Sequence, residues 1–473
     1  MLCLSGAALG ASAAAAPPAK QRLIVLTDIE NEPDDTQSLV RLLLYANDIE
    51  LRGLVATTSV HMRQGVHPES IRRVIARYAQ VLPRLRRHDR AYPEAAQLLA
   101  RVAPGQPGYG MKAIGDGRDT PGSELLRREL ERPDPRPLWV SVWGGANTLA
   151  QALYSLQRTR STEAVAKAVK RLRVYAISDQ DDTGAWLRRQ FPDLFYIVSP
   201  GGYGNATWGA IHRVVEGIDN SSVSNAWIAS HIQQGQGPLG AAYPDVAYGM
   251  EGDTPSFLGL IPNGLNAPEH PDWGGWGGRY ALYTPRREDT DPGGFNGGVP
   301  IEAETRPIWT NAVDRYRPFP HSAYGRPVKP GEREFSDAGV TLWRWREAFQ
   351  NDFAARMRWT MHSPAEANHA PVVRLAHAAE LHLRGGDWIT LDASPSTDPD
   401  GDSLSFLWFA YPEPGTLEAP LSLGTENLAR LRFQVPEVAA PATAHVVVQV
   451  TDKGTPALTR YQRVILHIEP RAR

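Results

Sequence analysis

The stretch that most constrains this chain is its first apolar run and the acidic segment that follows it. Residues 24–35 read Ile-Val-Leu-Thr-Asp-Ile-Glu-Asn-Glu-Pro-Asp-Asp, so a strand is expected to end in a loop holding Asp28, Glu30, Glu32, Asp34 and Asp35. Five carboxylates within eight residues repel one another at neutral pH, and the more so if the loop folds into a cleft that excludes water. A positive species is expected among them. No cysteine lies near and no histidine occurs before His61. The ligands on offer are hard oxygens, which suit calcium or magnesium rather than zinc or copper.

Leu39, Val40, Leu42, Leu43 and Leu44 follow at helical spacing, so Thr36 to Ala46 reads as a helix with Asp34 and Asp35 at its start. Aspartates at a helix N-terminus cap free N–H groups and complement the helix dipole, which is one sufficient reason for that pair. Capping leaves Asp28 unexplained. It stands at the carboxyl end of the strand, where open parallel sheets place their ligand sites.

Strand-like runs then alternate with helical patterns to about residue 200. The strands are expected at Glu50–Thr57, Leu138–Val142, Arg171–Ile177 and Leu194–Val198. The helices are expected at Glu69–Val81, Glu94–Arg101, Ser123–Arg132, Thr148–Thr159 and Thr183–Gln190. Such alternation implies an α/β fold, a mainly parallel open sheet with helices on both faces. From about Gly235 to Gly331 the periodicity fades and Gly and Pro become dense. An irregular stretch of that length usually builds a functional surface. A last helix is expected over Thr341–Met361.

Beyond Asn368-His369-Ala370-Pro371 the pattern changes to short alternating runs, Trp388–Leu391, Leu404–Phe409, Ala444–Thr451 and Tyr461–Ile468, separated by turn signals. That pattern indicates an Ig-like β-sandwich. Asp398-Pro399-Asp400-Gly401-Asp402 could ligate calcium, but its residues are equally those of a plain turn, the reading favoured from sequence. The expected organisation is a leader over 1–19, a first domain over 20–365 and a sandwich over 366–473.

A chain of 473 residues has room for two or three domains. Its formal charge of −2, without a basic patch interleaved with aromatics, gives no general attraction for nucleic acid or anionic membrane. Met1 to Ala16 is apolar or small and ends in alanines before Pro17-Pro18, like the hydrophobic and cleavage regions of a secretory signal, with the usual positive start missing. Export to the periplasm or beyond is expected. Cys3 lies in that leader, so the processed chain would carry no disulfide. No later stretch is long and apolar enough to cross a bilayer.

Leu26 to Asp35 resembles the Asp-rich N-terminal signature of the inosine-uridine-type nucleoside hydrolases, with two extra residues between the first Asp and the Asp pair. Trp143-Gly144-Gly145-Ala146-Asn147-Thr148 is similar to the strand-to-helix segment of that family whose backbone carbonyl ligates calcium. Glu251-Gly252-Asp253 resembles the site of its last metal-binding Asp. The whole chain after residue 21 resembles an exported bacterial group of nucleoside hydrolase-like, cellulose-binding proteins that join this domain to an Ig-like one. Met250 to Phe257, Trp273 to Tyr280 and Phe349 to Phe353 carry that likeness.

The resemblance implies that Asp28, Asp35, the Asn147 carbonyl and Asp253 hold Ca²⁺, that Asp34 bonds a sugar hydroxyl, and that Asp28 is the general base for water. It implies substrate contacts by Asp179 or Asp182 at the end of a later strand, although Asp182 fits a helix N-cap equally well. The chain also departs from the family. Leu26 stands where an Asp is usual, the Thr57-Thr58-Ser59 neighbourhood where a sugar-binding Asn is usual, and Gly252 where a His assists the leaving base. Glycine carries no proton, so Glu251 or a residue of the Gly-rich region is expected to act as acid, or the leaving group is not a nucleobase.

Trp273 and Trp276, set among glycines, could stack on sugar faces or plug gaps in the packing. His212, His231 and His270 read as satisfied or surface histidines, and Arg344, Arg346 and Arg356 as solvated or paired. The expected activity is calcium-dependent hydrolysis of a glycosidic bond in a furanoside or small carbohydrate; the alternative is a carbohydrate-binding protein without turnover. Relatives of the nucleoside hydrolase type are commonly dimers or tetramers, so the resemblance implies a homodimer unless the added C-terminal domain blocks those contacts.

Overall fold

The computed structural model describes residues 19–199, 208–286, 299, 302–318, 333–418, 421–423 and 428–471. The expected leader, apart from Ala19, lies outside the described residues, as does part of the Gly-rich stretch.

The first domain begins β1 (Arg22–Thr27), α1 (Pro33–Leu44), β2 (Glu50–Ala56), α2 (Pro68–His88), α3 (Ala95–Leu99), β3 (Val102–Pro104) and α4 (Pro121–Glu131). There follow β4 (Leu138–Val142), α5 (Asn147–Thr159), α6 (Thr162–Arg171), β5 (Leu172–Ala176), α7 (Thr183–Gln190) and β6 (Phe195–Val198). With β7 (Tyr280–Tyr283) and β8 (Ile308–Asn311), the strands form one sheet in the order β3-β2-β1-β4-β5-β6-β8-β7, parallel except for β7. All six residues of β1 are buried. Leu23 and Val25 pack into one apolar cluster and Ile24 and Leu26 into another, as a strand covered on both faces requires.

The chain runs from β1 outward through β2 and β3, then returns to place β4 on the other side of β1. This reversal makes the carboxyl ends of β1 and β4 the switch point at which open α/β sheets bind ligands. Thr27 is in register with Ala56, and Leu26 with Val142. Asp28 therefore emerges between the loops that follow β2 and β4.

Several elements differ from expectation. The helix α6 and strand β3 are additions; β3 is only three residues long and so carries no readable alternation. The expected helix Thr341–Met361 is two helices, Val340–Trp343 and Arg346–Trp359. Within the Gly-rich stretch the described residues form short helical turns, the β7–β8 ribbon and β9 (Asp314–Tyr316), which pairs with β10 (Phe335–Asp337). No described helix is long and apolar enough to cross a membrane.

The C-terminal domain contains β11 (Glu380–Arg384), β12 (Trp388–Asp392), β13 (Ser405–Tyr411), β14 (Arg430–Gln434), β15 (Ala442–Thr451) and β16 (Thr459–Glu469). They form a four-stranded sheet, β11-β16-β15-β13, facing a two-stranded one, β12-β14, around Trp408, Phe433, Val446, Val448 and Leu466. The opposite face of the larger sheet gives Phe409, Tyr411, Val447 and Tyr461 to the first domain's core. Polar contacts reinforce this seam. The Tyr411 hydroxyl donates to Asp314 Oδ2 at 2.7 Å, and Asp314 also pairs with Arg279 and Arg344. Arg463 donates to the carbonyls of Leu265, Trp273 and Gly274.

Candidate functional site

The site is built where β1 hands over to α1. The Thr27 hydroxyl at the strand end donates to Asp35 and accepts from the N–H of Ile29, which curls the loop back over the strand. Glu32 is the residue before α1 and makes no side-chain cap. Asp34 Oδ1 accepts the N–H of Asp35 at 3.0 Å, while Asp35 turns to Thr27. The capping explanation thus covers Asp34 only in part and Asp35 not at all.

Asp34, Asp35 and Asp253 each place a carboxylate oxygen within 4.8 Å of the others, and all three are buried. Asp28 lies beside them, 2 % exposed, receiving a hydrogen bond from Ser59. Burial pushes every one of these groups upward, helped by neighbouring negative charges at Asp28, Asp35 and Asp253: Asp28 to about 7, Asp34 to about 6, and Asp35 and Asp253 well above the usual carboxylate range. Glu32, half-buried, is raised to about 7 by burial and by Asp34 and Asp28. Glu30 is turned away, bonded to Ser70 and paired with Arg73 at 2.5 Å. The acidic loop therefore sends four of its five carboxylates inward.

The donor set fits a hard divalent cation on a structural observation. Asp28 Oδ2 and Asp253 Oδ2 are buried without a hydrogen-bond partner. Buried acceptors are nearly always satisfied, and a buried unpaired carboxylate oxygen is costly. The grouped side chains offer oxygen alone, with neither thiolate nor imidazole, as hard cations prefer.

The Gly144-Gly145 turn after β4 makes the cluster possible. A Cβ on Gly144 would stand 2.7 Å from Asp28 Oδ1, and one on Gly145 would overlap Asp181. Asp181, 1 % exposed, accepts the N–H groups of Asn147 and Thr183 and is raised to about 6 by burial. It is the buried carboxylate behind the turn, and the sequence drew attention to its neighbours instead.

The structure corrects several expectations. Glu251 is no free acid. It is fully buried, with Oε2 2.6 Å from Arg41, and the hydroxyls of Tyr243 and Thr254 donate to its two oxygens. Asp179 makes a two-pronged pair with Arg188, at 2.9 and 2.7 Å, which commits both oxygens. Asp182 precedes α7 without capping it and instead accepts the Met111 N–H at 2.8 Å, anchoring the 106–113 loop.

Asn147 opens α5. Its side-chain amide donates to Thr58 Oγ1 and the Gly108 carbonyl. Trp276 is fully buried against Phe349 and Tyr461, and Trp273 is stacked on His270 with His445 at its edge. Both tryptophans pack at the seam between domains; Trp276 is fully enclosed there and presents no face to a sugar, while Trp273 is half-buried. Arg344 is half-buried and Arg346 and Arg356 are buried, and they are bonded to Asp314, to Asn220 and to Asp352 with Asp48 respectively.

As well as Asp181, sequence reasoning missed Trp208. Its indole N–H donates to Asp34 Oδ2 at 2.9 Å, and its ring occupies the place that a Cβ on Gly252 would need. His212 stands edge-on to that ring and is pushed down to about 4 by burial.

A parallel sheet with a buried carboxylate cluster at its switch point defines a nucleoside hydrolase-like fold. The chain belongs to the family described as cellulose-binding Sde182, nucleoside hydrolase-like domain, which matches residues 22–280; residues 388–468 match the cellulose-binding protein Sde0182, C-terminal domain. It is similar to a solved nucleoside hydrolase-related hypothetical protein from Saccharophagus degradans, described as associated with carbohydrate metabolism. The two share 32 % identity, with 95 % of this chain and 100 % of that one covered and a TM-score of 0.78. A type III effector, XopQ, complexed with adenosine diphosphate ribose, overlaps at 14 % identity over 62 % of this chain and 88 % of its own, with a TM-score of 0.28 that is too low to bear on function. No curated protein matches the chain.

Proposed function

We propose that this protein is an exported hydrolase of glycosidic bonds that depends on a divalent cation, calcium by the chemistry of its donors, and acts on a furanoside or another small carbohydrate. The observation that carries the reading is the pair of buried, unpartnered oxygens on Asp28 and Asp253, residues far apart in the chain whose carboxylates lie close enough to repel. Asp35, Asp253, Asp28 and Asp34 would hold the ion. A cation bound there supplies a Lewis acid that lowers the pKa of a water molecule.

The protein's own groups do the rest. Asp28, oriented by the Ser59 hydroxyl, accepts the proton of the attacking water. Direct attack by that water inverts the anomeric carbon. Asp34, tied to Trp208, aligns a sugar hydroxyl. On the leaving-group side Gly252 leaves room for the Trp208 indole where the nucleoside enzymes have a proton donor, so the leaving group meets an apolar ring. The bond from the anomeric carbon to the leaving group breaks as the water oxygen bonds to that carbon. With no donor at 252 the departing group takes its proton from solvent, which favours weakly basic leaving groups over ordinary nucleobases.

The competing reading, a carbohydrate-binding protein without turnover, draws on the family's description as cellulose-binding. A panel of aryl furanosides, pyranosides and cello-oligosaccharides separates the two. A hydrolase turns over at least one of them, and loses that turnover on chelation and on Asp28→Ala. A pure binder turns over none, and Asp28→Ala leaves its retention on cellulose unchanged.

A further inference from the structure

We propose a second calcium site, at the junction of the two domains, formed by Asn368, Asp398 and Asp452. Three separate loops meet there. Asn368 lies between the long helix Arg346–Trp359 and the sandwich, Asp398 opens the turn before β13, and Asp452 follows β15. Each side chain is fixed through one polar atom and leaves a buried oxygen unpartnered: Asn368 Oδ1, Asp398 Oδ2 and Asp452 Oδ2.

The orientations are forced by the donors around them. Asn368 Nδ2 donates to Asp452 Oδ1 at 3.1 Å and to the Pro456 carbonyl at 2.8 Å. Both partners are acceptors, so the amide cannot be flipped and its oxygen faces away from them. Asp452 Oδ1 also takes the N–H groups of Gly454 and Leu458, which leaves nothing for its second oxygen. Asp398 Oδ1 accepts the N–H groups of Asp400 and Asp402, at 2.9 and 3.0 Å, again with none on Oδ2. Asn368 is 7 % exposed and Asp452 1 %, so water does not serve them freely.

The basic side chain bonded to this turn, His369, goes to Asp400 rather than to Asp398 or Asp452. Burial, together with the charge of Asp398, pushes the Asp452 carboxyl upward. A plain turn accounts for the bonded oxygens but not for the three bare ones. Two carboxylates and an amide carbonyl are a hard-oxygen set suited to Ca²⁺, with the remaining positions left to water. So few protein ligands place the affinity in the range of extracellular modules, a Kd on the order of 10⁻⁴ to 10⁻³ M. An ion there would brace the junction, because the Asn368 carbonyl accepts the indole N–H of Trp359 on the first domain's last helix.

The test uses the full chain carrying Asp35→Asn and Asp253→Asn, so that the first cluster does not contribute. Calorimetric titration with CaCl₂ is expected to reveal one ion in that range. Adding Asp398→Asn or Asp452→Asn, which keep the accepting Oδ1, is expected to weaken it by about tenfold or more. Absence of calcium binding up to about 10 mM, ten times the weak end of the range, in a chain with native circular dichroism would overturn the proposal. So would binding that neither Asn variant changes. Hydrogen exchange on the chain with this region unaltered gives a second reading. Calcium is expected to slow exchange in 368–372, 398–402 and 452–458, and unchanged rates in all three would also sink it.

Discussion

The indole N–H of Trp208 donates to Asp34 Oδ2 at 2.9 Å, and the same ring fills the space beside Gly252. One aromatic side chain therefore sets the orientation of a site carboxylate and forbids any side chain at the position next to Asp253. Glycine at 252 and tryptophan at 208 are parts of a single arrangement.

That coupling is measurable. Gly252→Ala forces the indole to move and is expected to cost about 1–3 kcal/mol, as overpacking of a filled interior does. Trp208→Ala opens the space, so the added cost of Gly252→Ala in that background is expected to fall below half. Additive losses in a double-mutant cycle followed by denaturant unfolding would separate the two residues.

The raised carboxyls predict how pH acts on the ion-free protein. In an unfolded chain these aspartates titrate near 4, whereas in the fold Asp34 lies at about 6 and Asp28 at about 7. A carboxyl that holds its proton more tightly when folded stabilises the fold at low pH, and the advantage is lost as pH rises through 6 and 7. With chelator, the melting temperature is expected to fall from pH 5 to pH 8. Calcium needs the ionised forms, so its stabilising effect is expected to be larger at pH 8. Melting curves with and without calcium check both signs, and a chelated protein that gains stability toward pH 8 contradicts them.

Glu251 and Asp28 are expected to behave in opposite ways. Arg41→Met leaves Glu251 charged in a fully buried setting and is expected to cost about 3–5 kcal/mol, by breaking a buried pair. Glu251→Gln keeps acceptor and donor atoms and is expected to lower stability while turnover per folded molecule changes little. Asp28→Asn is expected to lower turnover by about 10²–10⁴-fold, the span of general base catalysis, with stability kept or improved by relief of repulsion. Comparing kcat with melting temperature in these variants decides it.

The tryptophans of the Gly-rich segment offer a fourth check. Trp276→Ala is expected to cost about 3–5 kcal/mol, as loss of a buried Trp does. The fraction that remains folded is expected to retain carbohydrate as the parent does, since no face of that ring is presented outward. Affinity electrophoresis beside a denaturant titration separates the two effects.

Much of the frame was legible because it rests on local pattern. The strand before Asp28 is a continuous apolar run, β4 matches its expected bounds residue for residue, and α1 and α7 announce themselves by helical spacing. The acidic loop was legible as a candidate site because repulsion on that scale has few innocent explanations, and the structure gathers its carboxylates with Asp253. Partners distant in the chain were not legible. Nothing near Glu251 in sequence announces Arg41, which lies 210 residues away. Asp179 looked available until Arg188 closed on it from α7. Trp208 follows a segment with no helical or strand period, and only the tertiary fold brings its ring to Gly252. The sequence cue that could have found it is Gly252 itself, a glycine where a proton donor was expected.

Arg463 reaches out of β16 to cap three carbonyls of the 265–274 segment, and Tyr411 from β13 closes over Asp314. A module held by a tether can be traded between chains or cut away without harm to its neighbour. This one cannot, because its removal would strip hydrogen-bond donors from the segment that runs from Asp253 to β7 and bare the Trp276 ring to water. The two domains share one apolar core across this seam, so loss of the sandwich would expose the scaffold that leads to the carboxylates.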